Sequence, residues 1–372
     1  MSAIERIEVF RFRFSLEKPF IIALESISEV EEIIVRVVDD AGHEGWGEGS
    51  PSRRILSSTA DTIICALDVL SPLLLGDNPC RLGYVVDRMD QALEGNSPAK
   101  AALDIALHDL VGRIYGEPVW RLLGGCRAEP VETDFTVGID TPEAMAIEAR
   151  GLIRKGFRTI KVKVGENPAR DVERIRRIRE AVGDGVTLRI DANQGWTRVE
   201  AVWSLSRMAE LDIEFVEQPV PAWDIEGLAW VRQHSPIAVM ADESAHSPQD
   251  AWRISHAGAA DYINIKLMKA GGLRRASEIA TICRAAGIPN MIGGMIESNL
   301  SATAAVHFAM AESNVIFRDL DMGARPEAQL ITEGGSHIEV NHQVLSNPDA
   351  PGLGIVTLQK EWLGKPVRVY ER

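Results

Sequence analysis

Residues 4–14 alternate β-forming side chains, Ile7 and Val9 on one phase and Phe10, Phe12 and Phe14 on the other. The change of phase predicts a bulge between Val9 and Phe10. A second cluster (Ile33, Ile34, Val35, Val37, Val38) runs into the turn Asp39-Asp40-Ala41-Gly42 and a short strand around Gly45-Trp46-Gly47-Glu48. An antiparallel three-stranded unit is expected. Two polar connections, residues 19–30 and 50–60, have the length that usually accompanies function or mobility. Helical spacing follows. The clearest helix takes Ser97 as N-cap and Pro98 in its first turn, with Leu103, Ala106, Leu107, Leu110, Val111 and Ile114 on one face. Leu123-Gly124-Gly125 then breaks the pattern.

Strand–helix alternation begins at residues 131–139 and persists to about residue 322. Five apolar runs within it end in charge: 159–160 into Lys161-Val162-Lys163, 186–190 into Asp191, 214–216 into Glu217, 237–241 into Asp242 and 262–265 into Lys266. From Lys163 to Lys266 the charged ends are 28, 26, 25 and 24 residues apart, about one strand, one helix and two loops. Two further strands, 290–292 and 315–317, bring the count to eight. The fold class is α/β, a TIM-like barrel with its chemistry on the C-terminal face. An open doubly wound sheet would want a Gly-rich phosphate fingerprint after its first strand, and none is present. The predicted division is an α+β domain over 1–125, the barrel over 126–324, and a tail over 325–372 whose strand-like pieces (337–340, 354–358) return to the first domain.

Composition narrows the partners. An apolar fraction of 45% supports a sizeable core, and a formal charge of −14 argues against nucleic acid or an anionic membrane. That charge is compatible with a metal or a cationic ligand, and it also favours solubility. Cys65, Cys80, Cys126 and Cys283 form no CxxC pair and read as reduced packing residues. No signal-peptide core and no membrane-spanning apolar run is seen, so a cytoplasmic protein is expected. The sequence leaves a homo-oligomer open.

Asp191, Glu217 and Asp242 each follow an apolar run on consecutive units. A single acid there is commonly a helix N-cap, whereas three converging on one barrel mouth would repel unless a cation lay among them. All-carboxylate ligation selects a hard cation, and Mg²⁺ keeps positions open for substrate. Asn193 and Glu243 are either supports for these ligands or outward-facing loop residues. Lys161 and Lys163 point to the same side of their strand, into the barrel. Desolvation and a neighbouring ammonium would lower a lysine pKa toward that of a base. Lys266 lies four strands on, roughly across the ring, so a carbon held between the lysines could lose a proton to one and regain it from the other. Lys161 would face the carboxylate oxygens on which charge develops. Asp319 and Asp321 share one face after the last strand and could share a proton, bind a second metal or hold an ammonium. Glu297 is a further candidate at the mouth without a fixed role. His108 and His307 sit within helices and read as structural. A Schiff-base lyase would also use a buried lysine but would not need three strand-end acids, and a non-catalytic binding protein would not need all of these groups.

The motifs Lys-Val-Lys-Val-Gly (161–165), Asp-Ala-Asn-Gln-Gly-Trp (191–196), Val-Glu-Gln-Pro (216–219), Met-Ala-Asp-Glu-Ser (240–244) and Ile-Asn-Ile-Lys (263–266) resemble the enolase superfamily, in the branch with muconate lactonizing enzymes. The helix segment at 99–109 and Pro-Gly-Leu-Gly-Ile at 351–355 extend the likeness over nearly the whole chain. The resemblance implies an α+β capping domain over a (β/α)₇β barrel, Mg²⁺ on Asp191, Glu217 and Asp242, and Lys163 and Lys266 as the two bases. Asp-x-Asp after the last strand is similar to the dipeptide epimerases, which implies that Asp319 and Asp321 hold the α-ammonium of a dipeptide. N-acylamino acid racemases, o-succinylbenzoate synthases and muconate cycloisomerases of the same superfamily are the alternatives, and they have no ammonium to hold. Members acting on Ala-Glu carry an arginine in the first capping loop, where this chain has Glu25. An acid there implies a cationic second residue, whereas Arg53 and Arg54 in the second loop cut the other way if they point inward.

Overall fold

The computed structural model describes residues 2–125 and 129–372. Cys126 falls outside the described residues, and the predicted boundary at Leu123-Gly124-Gly125 lies at their edge. β1 (Ile4–Ile21) and β2 (Ser26–Asp39) form one long antiparallel hairpin, with β3 (Glu44–Gly49) beyond β2. Residues 19–30, expected as a long connection, are mostly strand. Phe20 pairs with Ile27 and Ile21 with Ser26, and the turn closes with the Ile22 N–H donating to Glu25 O at 3.0 Å. Nor is there a bulge between Val9 and Phe10, since the register shifts fall between Ile4 and Arg6 and between Ser15 and Phe20. Both phases are apolar because both faces are covered. Ile7 and Val9 pack with helices α1 (Ala60–Leu74), α2 (Leu82–Ala92) and α3 (Ser97–Tyr115), while Phe10, Phe12, Phe14, Ile34 and Trp46 join the barrel core. Asn96, at φ 51°, is the N-cap of α3, one residue before the predicted one. The three glycines of β3 set which way that strand faces. A Cβ on Gly45, Gly47 or Gly49 would lie 2.1, 2.1 or 2.6 Å from carbonyl oxygens of α3. The strand therefore lies flat on α3 and turns Trp46 and Glu48 toward the barrel.

β4 (Val131–Glu132) precedes the eight parallel barrel strands: β5 (Phe135–Val137), β6 (Thr159–Lys163), β7 (Thr187–Asp191), β8 (Ile213–Glu217), β9 (Val239–Ala241), β10 (Tyr262–Lys266), β11 (Asn290–Gly293) and β12 (Val315–Asp319). They neighbour one another in chain order with helix in each of the seven connections, which is the (β/α)₇β arrangement. Single bonds rather than a ladder finish the ring, Asp134 N to Arg318 O at 3.4 Å and Leu320 N to Thr133 Oγ1 at 2.8 Å. The predicted first strand is thus split. β5 joins the barrel, and β4 leaves it to pair with the tail.

In that tail β13 (Ile331–Gly334) pairs with β16 (Ile355–Leu358), and β14 (Ser336–Glu339) pairs with β15 (His342–Leu345), which pairs with β4. The piece that reaches the cap sheet is β17 (Arg368–Glu371), antiparallel to β1. Among the described residues no helix is long and apolar enough to cross a membrane.

Alternation along each barrel strand builds the floor under the site. Phe215, Met240 and Met291 form an interior apolar cluster with Tyr262 and Phe317. The Arg189 guanidinium lies 5.2 and 5.0 Å from the Phe215 and Phe317 ring centroids and pairs with Asp134 and Glu214, both at 2.7 Å. The next inward position on β8 is Glu217, and on β12 it is Asp319. The apolar run and its terminal charge are therefore successive layers of one interior.

His307, on the helix Asn299–Ala311, ties barrel to cap by accepting at Nδ1 from the Trp120 N–H at 3.1 Å. Burial draws its pKa down from 6.5 to about 4, so the folded chain keeps it neutral. The unfolded chain takes up this proton first, so the contribution to stability is present above about pH 6.5 and lost as pH falls toward 4. His307→Gln should flatten the fall in Tm across that window, and parallel melting curves for the two proteins would contradict this.

Candidate active site

Asp191, Glu217 and Asp242 end β7 and β8 and follow β9, and each offers an oxygen within 4.8 Å of the others. All three are wholly buried. Each has one oxygen tethered by the protein. Asp191 Oδ1 accepts from Asn193 N at 2.9 Å, Glu217 Oε1 from Asn264 Nδ2 at 2.8 Å, and Asp242 Oδ1 from Lys269 Nζ at 2.5 Å. The second oxygens meet lysines. Asp191 Oδ2 lies 2.7 Å from Lys163 Nζ and 3.0 Å from Lys161 Nζ, Glu217 Oε2 lies 2.7 Å from Lys161 Nζ, and Asp242 Oδ2 lies 2.8 Å from Lys266 Nζ. Glu217 Oε2 and Asp242 Oδ2 are nevertheless buried without a properly directed hydrogen bond. Three tethered carboxylates, each with an oxygen left for the centre, fit a hard divalent cation.

The chain just past two of these strands is strained in the way functional turns often are. Asn193, Gln194 and Gln218 have φ of 39°, 69° and 34°, the left-handed region for non-glycine residues. Gln218 makes use of this, its Oε1 accepting from Asp242 N at 2.9 Å and Ser244 N at 3.1 Å. Asn193 Nδ2 donates to Glu243 Oε1 at 3.1 Å, so these two residues face inward, beside the triad.

Lys163 and Lys266 line a cavity of about 400 Å³ under the cap, bonded to acids from opposite ends of the triad. Lys161 lies beneath the cavity among Asp191, Glu217 and Asp319. A neighbouring ammonium was expected to depress these lysines. Burial does act that way, but the carboxylates outweigh it and raise Lys161 (Asp319, Glu217 and Asp191) and Lys266 (Asp242, Glu217). Among the acids, burial and then the charge of Asp191 push Glu217 up to about 8. Burial opposes ionisation of Asp242 too, but Lys266 and Lys269 hold it well below the usual range.

Asp319 and Asp321 both line the cavity. Asp319 Oδ2 meets Lys161 Nζ at 2.7 Å, and Asp321 Oδ2 accepts from Thr136 N at 2.8 Å. Burial raises Asp321, as does the neighbouring Asp319, whereas Lys161 and Lys163 overcome burial and lower Asp319. Glu25, in the turn of the cap hairpin, and Arg53 line the same cavity, and Arg54 is not among its lining residues. Glu297 is the misplaced candidate. It is not among the lining residues either, because its carboxylate is turned back to accept from Met295 N at 2.7 Å and from the Ser301 hydroxyl. Sequence reasoning missed Asn264, Lys269 and Gln218. Asn264 stands two before Lys266, so strand parity alone would have placed it in the interior.

Known proteins resemble this chain over most of its length. The profile described as mandelate racemase / muconate lactonizing enzyme, N-terminal domain, matches residues 6–124, and that described as enolase C-terminal domain-like matches residues 144–361. The chain is 41% identical over 355 residues to the L-Ala-D/L-Glu epimerase of Bacillus subtilis, covering 94% of this chain and 96% of that one. A dipeptide epimerase structure from Enterococcus faecalis, complexed with Mg and L-Leu-L-Tyr, superposes with a TM-score of 0.92 at 39% identity, covering 95% and 100% of the two chains. One from Methylococcus capsulatus, complexed with Mg and L-Arg-D-Lys, gives 0.88 at 36% identity over 95% and 100%.

Proposed function

The chain belongs to the mandelate racemase / muconate lactonizing enzyme family of the enolase superfamily, and from that premise we propose that it is an Mg²⁺-dependent dipeptide epimerase inverting the α-carbon of the C-terminal residue. The observation that carries this reading is the cavity wall: two lysines bonded to opposite ends of an acid triad open onto the same space as an aspartate pair. Asp191, Glu217 and Asp242 would hold the cation. When bound, Mg²⁺ supplies positive charge to the triad and to a substrate carboxylate beside it.

Asp319 and Asp321 receive the dipeptide's α-ammonium, which fixes the end of the substrate away from the reacting carbon. An N-acylated substrate would put a neutral amide against these two acids, so that Asp321 would gain no cation and Asp319 would keep only Lys161. Either Lys163 or Lys266, in its neutral form, takes the α-proton, and the other, as an ammonium, returns one to the opposite face. The electron pair left on carbon delocalises into the carboxylate as an enediolate, and the Lys161 ammonium below stabilises that charge. With the acids alone around it Lys266 is held protonated by Asp242 and Glu217, so neutralising the triad's charge is what frees it to act as a base.

The hairpin supplies Glu25, Glu29, Glu31 and Glu32 to the cavity wall, against Arg53 from the following loop and Arg325. This balance supports a second residue of Lys or Arg. The free thiols Cys65, Cys80 and Cys283 support a cytoplasmic setting. A panel of L,L-dipeptides in D₂O, followed by loss of the α-proton signal, tests the substrate reading. Fastest exchange is expected with Lys or Arg second, and fastest exchange with Glu or Asp second would reject the cationic preference.

A further inference from the structure

A buried hydrogen-bond chain links the cap to one wall of the cavity. It starts at Glu48, which β3 aims at the barrel because its flanking glycines occupy the other face of the strand. Glu48 is wholly buried. Its Oε1 accepts from Ser298 N at 2.8 Å, and its Oε2 from Ser298 Oγ at 2.5 Å and Ser301 N at 3.0 Å. These donors belong to the N-terminus of the helix Asn299–Ala311, whose first turn needs acceptors it cannot find within itself. Ser301 passes the connection on, its hydroxyl donating to Glu297 Oε2, and Glu297 Oε1 accepts from Met295 N at 2.7 Å. Gly294, Met295 and Ile296 line the cavity. A carboxylate on the cap thus holds, in three links, the turn after β11 that forms part of the cavity wall.

We propose that Glu48 is a positioning residue, which from the cap sets the place of residues 294–296 and so the room given to the side chain of the substrate's second residue. A neutral hydroxyl acceptor could cap one donor, but only a carboxylate offers both oxygens to three donors at once. The acid also makes this wall depend on how the cap is seated, because Glu48 and the turn belong to different halves of the molecule. What Glu48 does to side-chain selection presupposes the epimerase reading, whereas its hold on the turn does not.

Glu48→Gln keeps the shape but turns one oxygen into a donor facing donors. In the Mg²⁺-loaded variant, amide exchange over residues 294–301 should speed up ~10-fold or more, with the strands β6 to β10 unchanged. KM for the best dipeptide should rise ~10-fold while kcat moves less than ~3-fold, and the spread of kcat/KM across second residues should narrow. Ser301→Ala, which frees Glu297 from the helix that Glu48 caps, should shift each readout in the same direction and serves if Glu48→Gln folds poorly. Unchanged exchange at 294–301 would overturn the proposal. So would a fall in Tm with an equal loss on every dipeptide, the mark of a merely structural role. A wild-type protein that exchanges no dipeptide would overturn the epimerase reading and the selectivity half together, leaving amide exchange to decide the hold on the turn.

Discussion

Lys163→Ala and Lys266→Ala are each expected to lower epimerisation by at least ~10³-fold, since a positioned general acid or base contributes about 10²–10⁴-fold and each lysine must act in every turnover. The two losses should not look alike in D₂O. With one base removed, the remaining lysine can still take the α-proton from the epimer that presents it on that side and return deuterium there without inversion. Each variant should therefore exchange one epimer and ignore the other, with the preference reversed between the two. The expectation follows from the anchoring of Lys163 on Asp191 and of Lys266 on Asp242, at opposite ends of the triad, with both amines on the cavity. Proton NMR of each pure epimer, together with polarimetry of the mixture, reads both quantities. Near wild-type epimerisation in both single variants, or exchange of the same epimer by both, would end the two-base scheme.

Much of this site is legible in the sequence because strand parity and the repeat act together. An inward residue at the C-terminal end of a barrel strand can only reach the mouth, so Asp191, Glu217, Asp242, Lys163, Lys266 and Asp319 were visible from their places after apolar runs. Loop residues carry no such rule. Glu297 stands just past β11 like the others, but the serines that begin the next helix compete for its carboxylate and turn it away. Polar residues at 19–30 break the alternation, so the sequence alone predicts a loop there. Pairing across the sheet, which no local pattern reports, carries the strands almost to the turn. Lysine basicity was misjudged for a similar reason. Lys161 stands beside Lys163 in the pattern, while the carboxylates that raise it, Asp319, Glu217 and Asp191, come from other strands.

Glu217→Gln should separate the cation's contribution from the fold's. Glu217 is the triad acid that burial and Asp191 push up to about 8, so the metal-free folded state carries a carboxyl it would rather keep protonated. A raised carboxyl pKa means the folded chain binds the extra proton between about 4.5 and 8, and metal-free stability falls as pH rises through that window. The amide removes this, so the metal-free variant should melt at or above the wild type at pH 8. The order should invert once Mg²⁺ is added. A ligand that binds only the folded state stabilises it by RT ln(1 + [L]/Kd), about 2.7 kcal/mol at a hundredfold excess over Kd. Wild type should gain a Tm rise of this origin and the variant little, since one of three anionic ligands has become neutral. Epimerisation should fall by ~10³-fold or more, and EDTA should do the same to the wild type, with recovery expected on adding Mg²⁺. A variant whose Tm still climbs with Mg²⁺ as the wild type's does would show that the cation sits elsewhere than among Asp191, Glu217 and Asp242. The lysines would then be facing acids that serve only one another.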